Sequence, residues 1–151
     1  MRAVAVALAV LVGCGGSLAD ARVVECYSRP EAVADQGLRY SAEVMVTSDT
    51  CRSQSYEQFA QRNRIQIIEF QDLMKQHFRR SSRNAQAKLD AFMTHLANDA
   101  ALRTGVQNIG QVCADAVKFL ATADALTGES FRRYAEDRER QHDREYRLCR
   151  R

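Results

Sequence analysis

A chain of 151 residues with 22 basic and 19 acidic side chains, a net charge of +3 and no tryptophan has length enough for one domain with its own core, and is too evenly charged to act as a polyelectrolyte. One proline, Pro30, and seven glycines argue against an all-β chain built on many tight turns. The all-α architecture expected here comes from helical periodicity along the chain.

The chain opens with one positive charge at Met1-Arg2, followed by an unbroken apolar run from Ala3 to Val12. Gly13 to Gly16 break any helix, and Ala19-Asp20-Ala21 supplies the small residues a signal peptidase needs. Residues 1–21 therefore read as a secretory signal peptide, cleaved before Arg22. The alternative is a lipoprotein leader over 1–13, because Leu11-Val12-Gly13-Cys14 resembles a lipobox in which Cys14 would be lipidated. The apolar run is too short for a stable membrane span, which needs roughly 20 residues. Residues 22–151 form the expected helical four-cysteine domain. Losing Arg2 and Asp20 with the leader keeps its charge at +3.

Apolar residues recur at three and four along nearly all the rest. Val33, Leu38, Ala42, Met45 and Val46 predict a first helix over about 30–48, in which Gly37 costs roughly 1 kcal/mol relative to Ala. Ser55-x-x-Gln58 predicts a capping box, followed by one long helix to about Arg80 through Phe59, Ile67, Phe70, Met74 and Phe78. Ser81-Ser82 breaks the pattern and can cap a third helix carrying Ala85, Leu89, Phe92, Met93, Leu96 and Ala100. Thr104-Gly105 ends it. Val106, Ile109, Val112, Cys113, Ala116, Val117 and Leu120 trace a fourth stripe. A fifth helix is expected from Thr127-Gly128-Glu129, with Phe131, Tyr134, Ala135, His142, Tyr146 and Cys149 on one face and Glu129/Arg133, Glu136/Arg140 and Asp143/Arg147 as i,i+4 pairs on the other. The expected product is a single antiparallel bundle of four to five helices, pinned by two disulfides.

Without Cys14, an even four cysteines remain: Cys26, Cys51, Cys113 and Cys149. In an oxidising compartment they read as two cystines, and three connectivities are open. In an up-down bundle Cys51 and Cys113 fall at the same end, so Cys51–Cys113 is favoured, with Cys26–Cys149 as a terminal clasp. Helix parity puts Cys26 at the far end from Cys149, so that clasp would require residues 22–30 to run back along the bundle.

No motif implies catalysis, a cofactor or a metal. There is no C-x-x-C, H-E-x-x-H, G-x-S-x-G or Gly-rich phosphate loop. Glu139-x-x-His142 places a carboxylate and an imidazole on one helical face, but di-iron bundles need two such units, and His77 and His95 follow Met74 and Phe92 at that spacing. The plain expectation for His142 is packing on Tyr146 and Tyr134. Pairs such as Asp90 with Asp99, or Glu69 with Asp72, read as solvated helix faces. The sharpest surface feature is the turn after the second helix. Lys75, His77, Arg79, Arg80, Arg83 and Lys88 lie between Asp72 and Asp90 with no acid among them. Lys75, Arg79, Arg80, Arg83 and Lys88 are candidate contacts for an anionic partner. The competing explanation is that Arg79 and Arg80 complement a helix C-terminus.

In composition the chain resembles small, helical, four-cysteine proteins exported by proteobacteria, and that resemblance assigns no residue a role. The expected function is a non-enzymatic, periplasmic or secreted interaction protein whose partner is another envelope protein or an anionic envelope surface, not nucleic acid, in the manner of an inhibitor or immunity module. An envelope chaperone is the second expectation. A metal-dependent enzyme using His142 and Glu139 is the third.

Overall fold

The computed structural model describes residues 26–105 and 108–149. The expected signal peptide with its Ala19-x-Ala21 motif, and the alternative lipidation at Cys14, lie outside the described residues. Among the described residues the fold is all-helical, with α1 (Arg29–Thr50), α2 (Ser55–Arg62), α3 (Arg64–Arg79), α4 (Ala85–Gly105), α5 (Ile109–Ala125) and α6 (Glu129–Gln141), then a short 3-10 turn at Asp143–Glu145. Among the described residues no helix is long and apolar enough to cross a membrane.

Among the described residues six helices stand where four to five were expected, because the long second helix is two. The break falls at Asn63, which turns its amide into the core. Its Nδ2 donates to the Phe59 carbonyl at 2.9 Å and to the Leu126 carbonyl at 3.0 Å, while its Oδ1 accepts from the Gly128 N–H at 2.7 Å. One side chain thus ties the α2–α3 joint to the α5–α6 turn. Gly128 has φ of 42°, a left-handed value that suits glycine there.

The arrangement is a cluster around a central helix rather than a simple up-down bundle. α1 packs against each of the other five helices, and its buried residues include Val33, Leu38 and Val44 together with Glu31, Asp35, Gln36, Ser41 and Ser48. The aromatic core lies against its middle. Tyr40 meets Phe59, Phe119 and Tyr134, and Phe131 packs edge-on against Phe59 at 4.9 Å and Phe70 at 5.5 Å. Gly37 lets Phe70 lie directly on α1: a Cβ there would sit 2.2 Å from the Phe70 ring. The apolar stripes are only partly buried. Ile65 and Ile68 on α3, and Ile109 and Val117 on α5, face solvent.

Several local expectations are corrected. Ser55 lies inside the first turn of α2 and bonds Ser53 and Asp124, so Gln54 occupies the cap position. Asn84 rather than Ser81 or Ser82 opens α4, accepting from the Ala87 N–H at 3.0 Å. The last helix stops at Gln141, and Tyr146 and Cys149 are carried on an extended tail. That tail pairs with the N-terminal segment through Tyr27 N–H to Arg147 carbonyl and Cys149 N–H to Tyr27 carbonyl, both 2.9 Å. Of the three ion pairs expected on α6, Glu129 with Arg133 is formed at 3.8 Å, whereas Arg140 bonds Asp137.

Cys51 is bonded to Cys113 and Cys26 to Cys149, with Cα separations of 5.4 and 4.9 Å. The clasp closes by another route than the expected return of the N-terminal segment along the bundle. α5 starts beside Cys51 and ends against Asn63, partway along the cluster, and α6 then descends beside α1 to reach Arg29. Parity counting failed because α5 does not traverse the full length. Closing loops of this size restricts the unfolded chain by about 4–5 kcal/mol on chain-entropy arithmetic.

Candidate functional site

The basic tip sits where α3 ends and α4 begins. Arg79, Arg83 and Lys88 are exposed and Lys75 is half-buried. Among the described residues none of these four makes an ion pair within 4 Å or a side-chain hydrogen bond. Elsewhere Arg39 pairs with Asp35, Arg62 with Asp124, Arg103 and Arg138 with Glu43, and Arg132 with Glu69, while the scattered, exposed Arg52, Arg64, Arg144 and Arg147 form no ion pair among the described residues. Arg79 lies in the last turn of α3, where the helix dipole favours a cation. Arg83 and Lys88 flank the start of α4, where the dipole disfavours cations, and the first turn of α4 holds no acid to compensate. Their charge is therefore not explained by helix stability.

Arg80 leaves this group. It reaches inward to Glu31, with Nη1 to Oε1 at 2.5 Å and Nη2 to Oε2 at 2.9 Å, and also donates to the Cys26 carbonyl at 3.0 Å. The sequence signal for this was Ser28-x-x-Glu31 at the start of α1. The Ser28 N–H donates to Glu31 Oε2 at 2.8 Å, and Pro30 occupies the first turn, where its missing N–H costs nothing. Burial by itself would raise the Glu31 carboxyl, but hydrogen bonds from Arg80 and Ser28 outweigh it and hold the group down at about 2. His77, the buried histidine of the three, lies 3.4 Å from Glu31 and stacks on Tyr27 with ring centroids 4.2 Å apart.

A second polar cluster lies one turn further along α1. The Asp35 carboxylate is buried and receives Arg39 Nε at 2.6 Å and the Tyr146 hydroxyl, while Gln36 Nε2 donates to that same hydroxyl at 2.7 Å. Burial and the neighbouring Asp35 charge push the Tyr146 hydroxyl well above the ordinary phenol range, so it stays a donor. The extended tail is thus fixed to the central helix both by the Cys26–Cys149 bond and by Tyr146.

The other histidines lie apart. His95 is exposed beside Asp99 at 3.2 Å. His142 is not packed on Tyr146 and Tyr134: its Nδ1 faces Glu145 at 2.8 Å. Glu139 is buried and turns toward Arg29 at 3.6 Å, whereas His142 lines a different cavity, so the side chains of Glu139 and His142 are not brought together. Glu69 bonds Arg132, and Asp90 accepts from Gln86, as surface partners. Among the described residues no three of His, Cys, Asp and Glu gather as a metal-ligand set. No known protein family, characterised protein or solved structure matches this chain.

Proposed function

We propose that the chain is an exported, non-enzymatic binding protein that meets an anionic envelope surface or an acidic envelope partner through the α3–α4 tip. The observation that carries this reading is clustering. Lys75, Arg79, Arg83 and Lys88 gather around one helix-to-helix turn, none with a carboxylate partner and no acid between Asp72 and Asp90. The Ala3–Val12 run with its small-residue cleavage motif, and two cystines, support export to an oxidising compartment. An inhibitor or immunity module is the sharper form of the same reading, since a disulfide-pinned domain loses little entropy on docking.

The test measures association with phosphatidylglycerol vesicles and with polyglutamate at rising salt, for the wild-type protein and for a Lys75→Ala, Arg79→Ala, Arg83→Ala, Lys88→Ala variant. The expected result is salt-sensitive binding that drops by tenfold or more in the variant with its melting temperature unchanged. Binding that is absent, or equal in both proteins, overturns the role of the tip. The envelope-chaperone reading has one observation in its favour: Leu102, Ile109 and Val117 are 69%, 64% and 64% exposed near the α4–α5 connection. Stress-dependent binding of an apolar dye without loss of helix would favour it.

A further inference from the structure

Between the start of α1, the middle of α3 and the end of α6 lies a cavity of about 220 Å³. At about 30 Å³ per water, it has room for roughly seven waters, or one amino-acid-sized molecule. Val33, Phe70 and Leu73 give it an apolar wall. The side chain of Glu139 lines it at 2% exposure, and its Oε1 is buried and accepts no hydrogen bond. A buried carboxylate oxygen that accepts no hydrogen bond has lost water without compensation, so an incoming N–H group would be favoured there. The Arg29 guanidinium, 3.6 Å away and largely exposed, is the ion partner of Glu139 among the described residues. Arg132 and Arg140 also border the cavity, but each is already engaged, by Glu69 and Asp137. Arg29 is therefore the cation with capacity left for an incoming anion.

We propose that this cavity binds a free α-amino acid with an apolar side chain, its ammonium paired with the Glu139 carboxylate, its carboxylate on Arg29 and its side chain against Val33, Phe70 and Leu73. The pairing exchanges one imperfect Glu–Arg contact for two charge-assisted ones, and the apolar wall selects the side chain. The mouth is formed by α1, α3 and α6, and includes none of the unpaired tip residues.

The test is calorimetric or NMR titration of the oxidised protein with L-leucine, isoamylamine and 4-methylpentanoate, the last two lacking the carboxylate and the ammonium respectively. Saturable leucine binding is expected, with each analogue weaker by tenfold or more. Glu139→Gln should reduce leucine affinity by tenfold or more while the helical signal persists. Should Glu139→Gln fail to fold, Leu73→Phe fills the cavity from a half-buried position and must abolish binding. A cavity that holds only water gives no saturable change with leucine up to about 10 mM, and overturns the proposal. So does binding that isoamylamine matches, or that both variants retain.

Discussion

The two halves of α1 are held by different physics. From Leu38 onward the helix is gripped by aromatic side chains, Tyr40 against Phe59, Phe119 and Tyr134, and the end is pinned by Cys51–Cys113. From Arg29 to Gln36 it is gripped by charge. Glu31 takes Arg80, Asp35 takes Arg39 and Tyr146, and the end is pinned by Cys26–Cys149. The aromatic half gains from area removed from water and tolerates imprecise geometry. The polar half stabilises only while every buried group keeps its partner, so it places particular residues, the tail above all, in particular positions. Both candidate binding features lie toward the polar half, the tip beside Arg80 and the cavity beside Arg29.

The strongest way to break the aromatic half is Phe131→Ala. Phe131 is fully buried and touches Tyr40, Phe59 and Phe70, so its loss should cost about 3–5 kcal/mol in denaturant unfolding. Gly37 sits at the junction of the halves and gives a test of sign. Helix propensity says Gly37→Ala should gain about 1 kcal/mol, but the added methyl meets the buried Phe70 ring at 2.2 Å. The expected outcome is a net loss of about 1–2 kcal/mol, read as a lower midpoint with unchanged slope. A stabilised variant would show that Phe70 can yield.

The polar half should reveal itself by acid. Glu31 is held at about 2 in the folded chain against 4.5 when free. A lowered carboxyl contributes stability that is complete above about 4.5 and is lost as pH falls toward 2. Because Arg80 is partly exposed, the loss should be on the order of 1 kcal/mol. Glu31→Gln should be less stable at neutral pH and flatter over that window, whereas Phe131→Ala should keep the wild-type acid slope. Equal slopes in Glu31→Gln and wild type would remove Glu31 from the account.

Much of this molecule was legible in the chain itself. The three- and four-residue recurrence of Val33, Leu38, Phe70, Met74, Leu89, Leu96 and Phe131 marks helices because that spacing gathers apolar area on one face, whatever the neighbours are. Periodicity misplaced Ile109 and Val117, since a stripe reports an apolar face but not whether another helix covers it. The basic tip was visible as a run without acids, yet Arg80 belonged to a different structure, bound to a carboxylate 49 residues away. Local spacing alone cannot pair residues so distant.

Composition and periodicity determined an all-helical chain, the four cysteines available for bonding and the basic run, all set by local backbone preference and by the number of side chains of each kind. Only the tertiary structure decided that Asn63 divides one helix into two, that α5 stops short and lets α6 return to Arg29, and that Glu31, Asp35 and Glu139 are buried. Those outcomes depend on which partner arrives from across the molecule: the Glu31 carboxylate meets Arg80, Asp35 meets Tyr146 and the Asn63 amide meets Leu126 and Gly128, and such meetings are a property of the packed fold.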